Sequence, residues 1–338
     1  MELTAIFNNN IFIFVSVLIG GVIFVNGWTD APNAITASVS TGALKMRHAV
    51  IVAAIFNFAG ALIMGIVNTS VLESVGNITM MIGNGEHSLI VLGAALVSII
   101  IWAVSAWVFG IPTSESHALI SGILGAVLAC GANITYEGLH ALKLAAVGLF
   151  LSLPIGSALG FGLGKITYNI ALNCESGKVF LWGQRFGAAA MSFMHGAQDS
   201  QKFAGVFIAA AVMSGYEEKG STPMWLVLVC AVIISVGTSA GGYRIIKKVG
   251  IDTVKLTPER GFAADVAAVA CMLAASLGGI PVSTTHTATS AVIGAGLSGR
   301  PRRLNKSSIR EMLLAWILTF PCCGLISFVT VKIFLLFF

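Results

Sequence analysis

Long apolar runs dominate the residue pattern of this 338-residue chain. They fall roughly at residues 11–40, 48–68, 88–109, 114–131 and 141–168, and five more follow at 183–213, 224–246, 261–279, 284–299 and 312–337. Most reach the ~20 residues that a helix needs to cross a bilayer. The fourth and ninth are short and begin at the turns of Pro112 and Pro281, so partial entry into the membrane is expected of them. The pattern predicts an all-α polytopic membrane protein. The first seven residues hold no Lys or Arg, and the run from Ile11 to Trp28 flows on without a small-residue cleavage site. It reads as a retained helix and not as a signal peptide.

The pattern also repeats. IPTSESHALISGILGA begins at Ile111 and IPVSTTHTATSAVIGA at Ile280, an offset of 169 residues. NGWTDAPNAI puts Asp30 where MHGAQDSQKFAG puts Asp199, again 169 residues on. Two unrelated motifs at one offset, half of the chain length, describe a duplicated unit of about five segments, with halves at 1–169 and 170–338. An odd number of segments per unit predicts that the halves insert with opposite orientation, and the loop charges agree with this inverted-topology repeat through the positive-inside rule. Lys45, Arg47 and His48 follow the first segment, whereas Glu217, Glu218 and Lys219 fill the equivalent loop of the second half. The next loop reverses the contrast: Glu73 and Glu86 stand against Arg244, Lys247, Lys248, Lys255 and Arg260. Arg300, Arg302, Arg303, Lys306 and Arg310 then stand against Glu137, His140 and Lys143. All basic loops, with Lys165, Lys178 and Arg185 of the central connection, face the cytoplasm if both termini lie outside the plasma membrane.

Composition sharpens this picture. Hydrophobic residues make up 57% and charged residues only 10%, against about 25% charged in an ordinary soluble domain. A soluble enzyme is excluded. The net charge of +5 is distributed over short interhelical loops, not gathered in a basic domain, which excludes nucleic acid as the partner. The six cysteines are scattered through apolar stretches with no metal-ligand spacing and read as small buried hydrophobes.

Inverted repeats in a polytopic bundle are characteristic of secondary transporters, whose site lies near the midplane where broken helices meet. Asp30 sits inside an apolar run and is followed by Pro32, which lacks an N–H and disfavours helix in the residue before it, so a break is expected from Thr29 to Asn33. An ionisable group at such depth is a functional residue by default. In the second half Asp199 is followed by Lys202 at the position of Asn33; snorkelling to the interface is the alternative for that lysine. Thr113, Ser114 and Ser116 in one half, and Ser283, Thr284 and Thr285 in the other, open a helix just after a proline. A helix N-terminus offers unsatisfied N–H groups and about half a unit of positive charge to an oxyanion; ordinary N-capping is the plainer reading. His117 and His286 are expected to brace these turns by donating to a carbonyl, with proton coupling as the alternative role. Glu115 has no acidic counterpart, since Thr284 stands at its position, and is expected to pair with Lys202, bind a coupling cation or lie solvated in a loop.

Two hydroxyl-lined helix N-termini facing two broken helices with carboxylates describe a site for a tetrahedral oxyanion that still carries a proton. Hydrogen phosphate fits, because its P–OH can donate to a carboxylate, whereas sulfate has no proton to give. Two aspartates and a divalent anion also require counter-ions beyond Lys202, so co-transported Na⁺ or H⁺ at Asp30, Asn33, Asp199 or Glu115 is expected, with Na⁺ favoured. An uncoupled anion channel would not need paired carboxylates, and an intramembrane hydrolase would need a nucleophilic constellation that these turns do not form.

The segments NGWTDAPNAITASVSTGAL, IPTSESHALISG, MHGAQDSQKFAGV and IPVSTTHTATSAVIGAG resemble the duplicated signatures of the inorganic phosphate transporter (Pit) family, in order and over nearly the whole chain. The resemblance implies cation-coupled phosphate symport without a resident cofactor, extracellular termini and a homodimer. It also implies that the aspartates and polar residues of the broken helices, with the hydroxyl turns, hold phosphate and coupling cations. Some relatives carry sulfate or metal–phosphate complexes instead, and retention of both aspartates favours phosphate here. The chain departs from the family at Thr29 and Gln198, where Asn is usual before the aspartate.

Overall fold

The computed structural model describes residues 8–110, 113–132, 134–173, 177–216, 222–240, 246–247, 249, 253–299 and 305–337. Ile111, Pro112, Cys174, Glu217, Glu218, Lys219, Arg244, Lys248, Arg300, Arg302 and Arg303 therefore lie outside the described residues. The apolar runs become helices: α1 Asn10–Thr29, α2 Thr36–Ser40, α3 Met46–Val67, α4 Ser70–Thr79, α5 Glu86–Val108, α6 Glu115–Cys130, α7 Tyr136–Asn173, α8 Gly177–Met213, α9 Met224–Ser239, α10 Pro258–Leu277, α11 Thr284–Leu297 and α12 Lys306–Phe337. Six segments among the described residues, 10–40, 46–67, 86–108, 136–172, 258–277 and 306–337, are long and apolar enough to cross a membrane.

Local chemistry explains where the elements begin and end. Asn9 caps α1, its Oδ1 accepting from Ile11 N at 2.8 Å and Phe12 N at 3.1 Å. Pro32 cannot donate back into α1, so the helix stops at Thr29 and the chain passes through a 3-10 turn, Ala31–Ile35, before resuming as α2. The expected break is therefore present in the first half. It is absent in the second. Helix α8 runs unbroken through Asp199 because Gln201, which keeps its backbone N–H, stands at the repeat position of Pro32.

Helix α4 is an element that the apolar pattern did not predict. Its ten residues include Ser70, Glu73, Ser74 and Asn77, too polar to register as a span, but one face carries Val71, Leu72, Val75 and Ile78 into the core. Helices α6 and α11 have 16 and 14 residues. At 1.5 Å per residue they extend about 24 and 21 Å, less than the ~30 Å hydrocarbon thickness, as their short apolar runs led us to expect.

The site-bearing helices α1 and α8 come into backbone contact with α9 and α3 at glycine crossings. Helix α8 meets α3 where a Cβ on Gly60 would lie 1.9 Å from the Phe193 carbonyl oxygen and one on Gly196 would lie 2.1 Å from that of Asn57. Helix α1 meets α9 in the same way, Gly27 against the Ile234 oxygen at 2.4 Å and Gly237 against that of Phe24 at 2.2 Å. Only glycine permits such approaches. The partners correspond pairwise: Gly27 with Gly196 and Phe24 with Phe193 at the offset of 169, Asn57 with Ile234 and Gly60 with Gly237 at 177.

Candidate functional site

The end of α1 and the middle of α8 bring Asp30 and Asp199 together in the interior, each 1% exposed. Asp30 is served from its own turn by Asn33, whose Nδ2 donates to Oδ1 at 2.7 Å, and from α11 by the hydroxyls of Thr285, to Oδ1, and Thr284, to Oδ2 at 3.1 Å. Asp199 Oδ2 accepts from Asn26 Nδ2 at 3.0 Å and lies 3.4 Å from the same Thr284 hydroxyl. One hydroxyl therefore stands between two carboxylates with a single proton to give.

Lys202, one turn along α8, closes the site on the other side. Its Nζ donates to Asp199 Oδ1, Ser116 Oγ and the Val282 carbonyl, each at 2.7 Å, which uses all three of its N–H bonds. The lysine is 2% exposed and does not snorkel. Its acceptors are a carboxylate three residues away, the Ser116 hydroxyl and a carbonyl of the turn before α11, so the ammonium is fully satisfied without reaching an interface.

The two hydroxyl turns meet head to head. Ser114 and Ser283 are the N-caps of α6 and α11, accepting from His117 N at 3.2 Å and His286 N at 3.1 Å, and the Ser283 hydroxyl donates to Ser114 Oγ at 2.7 Å. The His117 and His286 rings stack edge to face with centroids 4.2 Å apart, flanked by Phe320 at 4.6 Å and Trp316 at 4.2 Å. Ring packing braces the turns, and the Leu149 backbone carbonyl lies beside the His286 ring. Thr113 is buried beside Ser114 at the mouth of the first turn.

Two helix N-termini, an ammonium and a set of hydroxyls thus converge on two carboxylates, an arrangement that can hold an anion and cations side by side. A model described as the phosphate transporter family matches residues 26–177 and 169–327. The chain belongs to the phosphate transporter family. It is 36% identical over 305 residues to a probable low-affinity inorganic phosphate transporter of Bacillus subtilis, covering 88% of this chain and 89% of that one. A protein of the same description from Rhizobium meliloti is 37% identical over 310 residues, covering 90% of each. The fold is similar to that of a solved structure titled the sodium-dependent phosphate transporter, with a TM-score of 0.79, 20% identity and coverage of 97% of this chain and 100% of that one. The family is one of transporters, not of enzymes, so the hydrolase alternative falls away.

Asp30, Asn33, Ser114, Ser116, Asp199, Lys202, Ser283, Thr284 and Thr285 all make the contacts described above, and Thr113 is buried next to Ser114. Glu115 neither pairs with Lys202 nor faces solvent: it is 2% exposed, and its Oε1 faces the Thr29 hydroxyl at 3.1 Å. Three site residues were not singled out from sequence. His195 Nε2 lies 3.3 Å from Asp199 Oδ2, and its Nδ1 is 2.9 Å from Asn57 Oδ1, while Asn26 serves Asp199 from α1. A signal existed: Asn26 and His195 each precede their aspartate by four residues, which places them on the same helix face.

Proposed function

We propose that this protein imports inorganic phosphate across the plasma membrane by symport with Na⁺, with Asp30 and Asp199 at the centre of the site. The observation that carries this reading is the Thr284 hydroxyl shared between the two carboxylates. It leaves them short of positive charge, and the buried acceptors Asn26 Oδ1 and Asn33 Oδ1 beside them have no hydrogen-bond partner. Two aspartates and one lysine sum to −1, and hydrogen phosphate takes the total to −3. Two unit charges 4 Å apart interact by about 4 kcal/mol at an effective dielectric of ~20, so the anion requires accompanying cations. Amide oxygens coordinate Na⁺ but do not take up a proton near neutral pH, which favours Na⁺ over H⁺. Lys202 and the N-termini of α6 and α11 supply the attraction for phosphate, and a carboxylate accepts its P–OH proton. The names of the relatives support the same anion, and the name of the structural neighbour supports both the anion and Na⁺.

Phosphate uptake into proteoliposomes tests this reading. An imposed Na⁺ gradient should drive accumulation of labelled phosphate above equilibrium, and a pH gradient alone should not. Equal uptake with and without any cation gradient would replace the symporter by an anion channel, and sulfate accumulated as well as phosphate would overturn the anion.

An inverted duplication of residues 1–169 and 170–338 completes the reading. Ser114 touches Ser283 and His117 touches His286, 169 residues apart in both cases. A two-fold relation between the halves brings residues near its axis onto their own repeat mates, and the paired glycine crossings support the same relation. With both termini outside, single cysteines at Glu73 and Thr222 should react with an impermeant maleimide in intact cells, and those at Lys45 and Lys306 only after permeabilisation. Reaction of Thr222 and Lys306 positions from one side would refute the inversion.

A further inference from the structure

Glu115 opens α6 at the position that Thr284 holds in α11, and the two side chains contribute opposite things. Thr284 brings a proton to the carboxylates; Glu115 brings a third carboxylate. Its Oε2 is buried without a hydrogen-bond partner. Its Oε1 faces Thr29 Oγ1 at 3.1 Å, but that hydroxyl has one proton and also meets the Val25 carbonyl at the shorter distance of 2.8 Å. No donor is thus committed to Glu115 among the described residues. Lys202 cannot serve it, because its three N–H bonds already go to Asp199, Ser116 and Val282. Asp30 and Asp199 act on Glu115 only by repulsion, and neither ion pair among the described residues includes it. An ionised carboxylate in this setting carries a desolvation cost that nothing repays.

We infer that Glu115 takes up one monovalent cation, H⁺ or Na⁺, in each transport cycle, in addition to the charge balanced at Asp30 and Asp199. This rests on the phosphate symport reading and deepens it. The first half carries the extra site and the second half has no counterpart, so the coupling is asymmetric between the halves. The consequence is steeper accumulation. Each coupled cation multiplies the phosphate ratio attainable at steady state by its own gradient, so under a tenfold gradient the loss of one lowers accumulation about tenfold.

The test uses the full chain in proteoliposomes, comparing it with Glu115→Gln, which keeps the shape, and Glu115→Thr, which restores the residue of the second half. The charge moved per phosphate, read from the reversal potential, is expected to fall by one elementary charge in both variants. In the Na⁺ arm the fall should come with about tenfold lower accumulation under a tenfold Na⁺ gradient. In the H⁺ arm it should come with loss of the pH change that accompanies uptake. An unchanged ratio of charge to phosphate in variants that still transport would overturn the inference. Where a variant no longer transports, binding of ²²Na⁺ and uptake of protons on phosphate addition are measured in detergent: one cation fewer than the unmodified chain supports it, and an equal number overturns it. Absence of cation-gradient-driven phosphate accumulation by the unmodified chain would remove the symport reading and this inference with it, a result distinct from unequal or equal ratios.

Discussion

Asp30→Asn and Asp199→Asn are each expected to abolish Na⁺-driven phosphate uptake while leaving the protein folded and inserted. The substitution preserves volume but turns an oxygen that accepts into an NH₂ that donates. At Asp30 the new amide would face the Asn33 amide and the Thr284 and Thr285 hydroxyls, all placed to donate. At Asp199 it would face Asn26 and the Lys202 ammonium. Each variant loses the hydrogen bond to the replaced oxygen, which as a bond to a charged group is worth roughly 1.5–3 kcal/mol, and one unit of the negative charge that draws in Na⁺. At 1.4 kcal/mol per decade the lost bond alone lowers transport about 10- to 150-fold, and the lost charge lowers it further. Monodisperse elution in detergent establishes that the fold survives. Near-normal uptake by both variants would remove the aspartates from the mechanism.

The parts of this site that could be read from the sequence are those where a physical rule acts on neighbouring residues. A carboxylate inside an apolar run, a proline two residues later, and Ser or Thr at the start of a helix all announce themselves locally, and the shared offset of 169 tied them together. The errors came from transferring one half's behaviour to the other. Asp199 shares the offset with Asp30, but the break belongs to Pro32 and not to the aspartate, and Gln201 leaves α8 intact. The choice of Lys202 between site and interface depends on the Val282 carbonyl and Ser116, 80 and 86 residues away in the chain. Glu115 was likewise undecidable from its own neighbours, since what isolates it is the full commitment of Lys202 elsewhere. Helix α4 escaped because only one of its faces is apolar, so it resembles a polar connection when hydropathy alone is read.

Lys202→Met separates what this buried pair does for the fold from what it does for transport. The ammonium and Asp199 are 2% and 1% exposed, with Nζ and Oδ1 at 2.7 Å. Removing the lysine leaves an uncompensated carboxylate in the interior and deprives Ser116 and the Val282 carbonyl of their donor. Breaking one side of a buried ion pair destabilises by about 3–5 kcal/mol, whereas replacing both partners by neutral groups of similar volume is often close to neutral. The double variant Asp199→Asn, Lys202→Met should therefore recover most of the stability lost in Lys202→Met, as measured by thermal unfolding in detergent. Phosphate uptake should stay absent in both, because the recovered protein has no ammonium for the anion and one carboxylate fewer for the cation. Recovery of uptake together with stability would reduce the pair to a structural role. A loss below about 1 kcal/mol in the single variant, in the range of an exposed pair, would mean that water reaches Asp199 and that the site is not sealed around its charges.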